Sequence, residues 1–259
     1  MLYSACIDML FSEHEVYDRP ALARQSGVDA VEFWKWSNKK RSLLKQKIKE
    51  NKLAVSIFNL DSANEELSYA LSRGILNAGR EEELAAALKE TAPVYHELHA
   101  SGIILLVGET LPLPKEEQVR NVMKCLQTAA RVAEQEDLRL VVEALNDIDR
   151  PNYFLPRAGE VFDLVRQINS PRVKVLLDLY HEQMMEGDLF SVIRNNIDLI
   201  GHIHIADVPG RHQPGTGTVP YGDLLALLEE LNYEGYCGFE FRSTLSDTET
   251  ADFLRRYIR

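Results

Sequence analysis

Eight short apolar runs, rich in β-branched residues, recur along the chain and constrain its fold more than any other feature. Most of them are continuously apolar rather than alternating, as in strands of a parallel sheet that is covered on both faces. Stretches with helical spacing separate the runs. The predicted strands lie near residues 3–9, 30–36, 54–60, 102–108, 139–145, 173–179, 199–206 and 235–241.

Helical periodicity is clearest in two stretches, one after Pro114 and one after Pro220. Weaker helices are predicted at about 18–27, 38–51, 81–100, 158–169, 187–197 and 247–258. Eight strands alternating with eight helices, without a linker, predict a single α/β domain over residues 1–259, a (β/α)₈ TIM barrel. An open doubly wound sheet is the alternative. The chain lacks the GxGxxG and GxxxxGK[ST] motifs of nucleotide sites, so no nucleotide cofactor is expected.

Composition disfavours several kinds of partner. The 40 acidic and 29 basic residues give a net charge of −11, which disfavours binding to nucleic-acid phosphates. The three cysteines, Cys6, Cys125 and Cys237, lack CxxC spacing and favour a reducing, cytoplasmic setting. The longest uncharged apolar run, Ala100–Gly108, has nine residues and is too short to span a membrane. We therefore expect a cytoplasmic protein that binds neither nucleic acid nor membrane.

Polar residues interrupt the last four predicted strands. Glu143, Asp178, His204 and Glu240 are separated by 35, 26 and 36 residues, each about one βα unit, so each lies near the C-terminal end of its own strand. In a barrel those ends converge on one mouth, where active sites are built. A buried carboxylate needs a compensating charge, and a divalent cation supplies two. The set therefore predicts a metal site.

Three carboxylates and one imidazole suit Mg²⁺ or Mn²⁺ best, and Co²⁺ or Zn²⁺ is also compatible. Taken singly, each acid is more often a helix cap or an ion-pair partner than a ligand. His202 points to the same side of its strand as His204 but lies one layer deeper, which favours a hydrogen-bonded core histidine. Only the four residues in register favour the metal.

Further polar and aromatic residues follow the predicted strands. Arg211 lies in a proline- and glycine-rich loop, where it could grip a substrate carboxylate or hydroxyl, or pair with Asp207. His181 lies three residues after Asp178. Trp34 and Trp36 end the second strand, where they could wall a pocket or pack in the core.

Four segments carry a resemblance to a known family: VEALN at 142–146, DLYHEQMMEG at 178–187, HIHIADVPGRHQPGTG at 202–217 and GFEF at 238–241. They resemble the sugar isomerase/epimerase superfamily of xylose-isomerase-like barrels, and within it the hydroxypyruvate isomerase group. The likeness extends upstream to RGI at 73–75 and GREEE at 79–83 and so covers most of the chain.

The resemblance implies a metal centre at Glu143, Asp178, His204 and Glu240. It further implies that the two glutamates shuttle a proton and that His181 and Arg211 contact the substrate. The expected activity is isomerisation of a small α-hydroxy ketone or aldehyde, hydroxypyruvate or a related keto acid or sugar, through an enediolate. Members of the family are often dimers or tetramers, so a homo-oligomer stays open.

Two positions depart from the hydroxypyruvate isomerases. Gln often stands at the position of His204, whereas His is usual in the ketose 3-epimerases, and Thr218 stands where Glu is common. A ketose 3-epimerase therefore stays open as the alternative reaction. A barrel that binds metal or sugar without catalysis is the alternative of another class, and a DNA-repair endonuclease of the superfamily is disfavoured by the acidic charge.

Overall fold

Parallel strands close into an eight-stranded barrel in the computed structural model, which describes residues 1–258. Each strand pairs with the next along the chain, and the last pairs with the first. The strands are β1 (Leu2–Cys6), β2 (Ala30–Phe33), β3 (Ala54–Asn59), β4 (Gly102–Leu106), β5 (Leu140–Glu143), β6 (Val173–Asp178), β7 (Ile200–Ile205) and β8 (Tyr236–Phe239). The predicted (β/α)₈ barrel is confirmed.

All eight predicted strands are present, and each begins within one residue of its expected position. Each ends one to three residues earlier than predicted, because the chain there leaves the sheet and enters the loops of the mouth. Every residue of β4 is buried, which explains its continuous apolar sequence: one face lines the barrel interior and the other packs under helices.

The described residues form ten α-helices rather than the predicted eight. The two additional helices are short: one has nine residues, and the other has six and follows β6 directly. Each of the two begins at a capping residue, Asn64 or Asp178, whose side chain accepts a hydrogen bond from the backbone of the first turn. The helices are α1 (Arg19–Gln25), α2 (Arg41–Glu50), α3 (Glu65–Arg73), α4 (Glu81–Leu98), α5 (Lys115–Gln135), α6 (Ala158–Ile168), α7 (Leu179–Met184), α8 (Leu189–Asn196), α9 (Tyr221–Glu230) and α10 (Asp247–Tyr257).

None of the helices within residues 1–258 has the length and apolar character needed to cross a membrane.

A close glycine contact fixes the end of α3 against the barrel mouth. Gly74 follows the helix with a φ of 93°, a conformation that favours glycine. It lies against the backbone of Gly108, which follows β4, so a Cβ at Gly74 would overlap that backbone. The contact places Arg73, the last residue of α3, on the wall of the mouth.

Replacing Gly74 by alanine should destabilise the fold through both strain and overlap. Gly27 is a matched control, because its φ is 85° but a Cβ there meets no atom within 4 Å. We expect Gly27→Ala to lower the free energy of unfolding by about 1 kcal/mol, and Gly74→Ala to lower it by roughly 2 kcal/mol more. Urea denaturation measures both values, and equal losses would contradict a close contact at Gly74.

Candidate metal centre and active site

The four predicted ligands meet at the C-terminal ends of the strands. Glu143 and Asp178 are the last residues of β5 and β6, His204 lies in β7, and Glu240 directly follows β8. One donor atom from each lies within 4.8 Å of the others, and all four side chains are buried. The structure thus brings together the four residues that the strand spacing selected.

Strand register explains this convergence. Asp178 pairs with His204 across β6 and β7, and His204 pairs with Gly238 across β7 and β8. Asp178 also caps α7, because its Oδ1 accepts hydrogen bonds from the backbone N–H groups of Tyr180 (2.8 Å) and His181 (3.1 Å). That cap leaves Oδ2 for the centre of the group.

His204 presents one ring nitrogen to the carboxylates and the other to the barrel interior. Its Nδ1 lies 3.5 Å from a Glu143 oxygen and 3.3 Å from a Glu240 oxygen, and it has no hydrogen-bond partner in the described structure. Its Nε2 lies 3.3 Å from Oε1 of Glu32. The buried Nδ1 therefore faces the three carboxylates and can bind a metal when it gives up its proton, and Glu32 lies behind the ring.

Sequence reasoning missed Glu32, although an acid in the apolar run of β2 was the same signal used for the other carboxylates. Its Oε2 lies 2.8 Å from the Ser4 hydroxyl, 3.1 Å from the Ser56 hydroxyl and 3.1 Å from Nε2 of His202. Burial alone would raise the pKa of Glu32, but His204 and His202 lower it to about 2. His202 is thus the buried, hydrogen-bonded histidine that its deeper layer predicted.

The carboxylates of the group differ in their affinity for a proton. Burial raises the pKa of Glu143 to about 7. Burial acts on Glu240 in the same direction, but the Arg211 guanidinium and His204 hold its pKa well below the usual range. Burial opposes a charge on His204, but Glu240 and Glu32 raise the pKa of its ring well above the usual value, so the ring holds a proton among the acids. A divalent cation at the centre would take the place of that proton, and the donor set therefore fits an added cation.

Asp207 shapes the loop that carries Arg211. Its carboxylate accepts hydrogen bonds from four backbone N–H groups, at 2.8–3.0 Å, from Val208, Gly215, Gly217 and Val219. The Asp207 carboxylate is thus fully hydrogen-bonded to the backbone of its own loop. The alternative prediction, an ion pair between Arg211 and Asp207, is therefore wrong. Arg211 instead contacts Glu240 and, at 3.3 Å, Asp178.

His181 is buried beside the Asp178 carboxylate. Its Nδ1 lies 3.1 Å from the Asn146 backbone N–H and accepts a hydrogen bond from it. Burial lowers the pKa of His181 to about 4, so the ring is neutral near pH 7 and carries its proton on Nε2. That Nε2 lies 3.6 Å from Asp178 Oδ2 and has no hydrogen-bond partner among the described residues.

The two tryptophans after β2 have different roles. Nε1 of Trp34 donates a 2.7 Å hydrogen bond to Glu240, and its half-exposed ring lines the mouth. Trp36 is buried and contacts the Thr91 hydroxyl at 3.2 Å, so it belongs to the core.

A cavity of about 750 Å³ opens at this end of the barrel. Two candidate ligands, Glu143 and Glu240, line it, together with Asp8, Trp34, Lys35, Tyr69, Arg73, Arg150 and Arg211 among others. A second cavity, of about 810 Å³, lies around the N-terminal ends of the strands, and the described residues that line it include none of the four candidate ligands. The chemistry therefore belongs to the mouth.

Known proteins show the same combination of fold and length. Hydroxypyruvate isomerase of Escherichia coli (strain K12) is 32% identical over 242 residues, covering 93% of each chain. The 2-oxo-tetronate isomerase of Cupriavidus necator is 28% identical over 258 residues, covering 99% of this chain and 98% of the relative. Both relatives are isomerases, the enzyme class that the sequence predicted.

A solved structure named AP endonuclease, family 2, from Brucella melitensis superposes with a TM-score of 0.91 at 27% identity, covering 99% of each chain. Residues 20–257 match the family described as xylose isomerase-like TIM barrel. The chain belongs to the xylose isomerase-like TIM barrel family.

Proposed function

We propose that this protein is a divalent-metal-dependent isomerase that interconverts a small α-hydroxy ketone and the corresponding aldehyde, with hydroxypyruvate or a related keto acid or sugar as substrate. The observation that carries the proposal is the convergence of Glu143, Asp178, His204 and Glu240 beside a cavity of about 750 Å³. Cavities of this size hold small molecules. The names of the two bacterial relatives support the same reaction.

The four converging side chains would hold the cation. The unpartnered Nδ1 of His204 and the pKa of Glu143, raised by burial, both fit a positive charge at their centre. Oxygen-rich donors favour Mg²⁺ or Mn²⁺, and Co²⁺ or Zn²⁺ also suits the set. When bound, the cation polarises the substrate carbonyl and stabilises negative charge on its oxygen.

Glu143 and Glu240 would carry the proton between adjacent carbons of the substrate. One carboxylate takes the carbon-bound proton and the other gives a proton to the neighbouring carbon through an enediolate, and both line the cavity where the substrate would lie. Trp34 and Arg211 each bond to Glu240 and thereby orient its carboxylate. The neutral His181 offers its Nε2–H to a substrate oxygen.

An endonuclease is the second candidate, because the Brucella melitensis structure carries that name. The net charge of −11 and the small cavity favour a small molecule over a duplex. Cleavage of a DNA duplex with one abasic site would contradict this preference.

Incubation in deuterated water separates isomerisation from its alternatives. Keto acids and ketoses of three to six carbons are incubated with and without Mn²⁺ and followed by NMR. We expect metal-dependent deuterium on the former carbonyl carbon of an aldehyde product. Deuterium with inversion at the carbon beside the carbonyl would identify an epimerase instead. If deuterium enters none of the substrates, the proposed isomerisation is wrong and the alternative of a barrel that binds metal or sugar without catalysis is supported.

Removing either carboxylate should abolish proton transfer. We expect Glu143→Gln and Glu240→Gln each to lower the rate of deuterium incorporation by at least ~100-fold, the usual scale for losing a general base. Metal content is measured for both variants, so that a lost ligand is distinguished from a lost base. Near-normal turnover in either variant would contradict the proposed proton shuttle.

Glu32 should strengthen metal binding through His204. Glu32→Gln removes the negative charge that lies 3.3 Å behind His204 Nε2, and we expect the affinity for Mn²⁺ to fall by about 10- to 100-fold. Isothermal titration calorimetry measures that affinity.

Glu182→Gln is the matched control for Glu32→Gln. Glu182 is also a buried acid, but its carboxylate accepts a hydrogen bond from the Ala158 backbone N–H at 2.8 Å. Unchanged Mn²⁺ affinity in Glu32→Gln, or an equal loss in Glu182→Gln, would show that Glu32 has no specific part in the metal centre.

A further inference from the structure

We propose that Arg150 and Arg73 form an anion subsite on the wall of the mouth cavity, which binds the carboxylate of an α-keto acid and makes such acids the preferred substrates over neutral ketoses. The inference rests on the proposed function for its reaction, but the binding step is testable without it.

Arg211 does not supply this subsite. Sequence reasoning offered it as the group that grips a substrate carboxylate. Its guanidinium contacts Glu240 and Asp178, and its charge is thus directed at acids of the protein. Its side chain also lies over the Tyr180 ring, 5.4 Å from the ring centre. A substrate carboxylate therefore needs another cation.

Arg150 is a cation of this cavity that makes no ion pair with the described residues and has an unpartnered donor; the Nε of Arg211 is also unpartnered, but its Nη2 contacts Glu240 and Asp178. Arg150 lies in the loop after β5, lines the cavity together with Glu143, and donates one hydrogen bond of 3.2 Å to the Ser72 carbonyl. Its Nε is buried and has no partner in the described structure. A buried donor without a partner is costly, and a bound carboxylate would satisfy it.

The Arg150 loop is held in place by local hydrogen bonds. The Asn146 side chain accepts from the backbone N–H groups of Ile148 (3.1 Å) and Asp149 (2.7 Å), and the Asn146 carbonyl accepts from the Arg150 N–H at 3.2 Å. Asp149 in turn accepts a 2.7 Å hydrogen bond from the Tyr180 hydroxyl. The guanidinium is therefore presented from a preorganised loop.

Arg73 places a second guanidinium near the first. It lies at the end of α3, where the contact of Gly74 with Gly108 fixes the backbone, and it lines the same cavity. Its ion-pair partner is Glu109, and almost half of its side chain stays exposed. Burial and the charge of Arg73 both lower the pKa of Arg150, because the two guanidinium groups are close enough to repel each other. An anion between them would relieve that repulsion.

The position of Arg150 and Arg73 suits an α-keto acid, in which the carboxylate is bonded directly to the reacting carbonyl carbon. In a three- or four-carbon α-keto acid, the carboxylate must lie close to the carbon that exchanges its proton. Glu143, one of the two proposed proton carriers, lines the same cavity, and its charge raises the pKa of Arg150. Lys35, another cation of the wall, already donates to the Ser68 hydroxyl at 3.0 Å.

The test compares hydroxypyruvate with dihydroxyacetone, in which a neutral CH₂OH replaces the carboxylate. We expect Arg150→Gln to lower the ratio of kcat/KM for the acid over the neutral ketone by about 10- to 100-fold, mainly through KM, as expected for a lost charge-assisted hydrogen bond. Arg73→Gln should lower the ratio in the same direction. Arg131→Gln is the control, because it removes the same charge from the exposed surface of α5.

Binding measured by NMR titration separates this proposal from the proposed reaction. If the wild-type protein exchanges deuterium into neither compound, the proposed reaction is wrong, but weaker hydroxypyruvate binding in Arg150→Gln than in Arg131→Gln would still support the subsite. Equal losses for the acid and the neutral ketone, or unchanged hydroxypyruvate binding in both Arg150→Gln and Arg73→Gln, would overturn it.

Discussion

Burial of three carboxylates around one imidazole is the constraint on which the mouth of this barrel depends. Parallel pairing of β6, β7 and β8 forces Asp178, His204 and the chain before Glu240 into one layer. Acids in such a place are costly unless a positive charge lies among them. Arg211 and the protonated ring of His204 supply positive charge there, and the proposed divalent cation would take the place of the proton on His204.

A second polar layer lies beneath the first. Glu32 lies behind His204, and two serine hydroxyls and His202 satisfy its other oxygen. Gly238 makes room for this acid, because a Cβ there would overlap the Glu32 carboxylate. Glu32 thus lies on the Nε2 side of His204, and Nδ1 on the other side of the ring points to the acids.

Charge is distributed unevenly between the surface and the mouth. The chain carries a net charge of −11, yet the lining of one cavity has four cations, Lys35, Arg73, Arg150 and Arg211, against three acids, Asp8, Glu143 and Glu240. Loop and helix ends bring them there: Asp207 holds the Arg211 loop by accepting four backbone hydrogen bonds, and the Gly74 contact holds the end of α3. A local excess of cations can attract an anionic ligand that the whole surface would repel.

The sequence by itself determined the barrel and the four candidate ligands. Apolar runs alternate regularly with helical stretches, and an acid inside such a run is easily recognised. Glu32 gave the same signal in β2 but lay outside the regular spacing of the last four strands. Only the tertiary structure decided that Asp207 serves its own loop, that Arg211 faces Glu240, and that Arg150 keeps a free donor beside Arg73. These contacts are made by loop residues. The direction of a side chain in a loop is set by contacts between distant segments, and no repeating pattern in the local sequence predicts it.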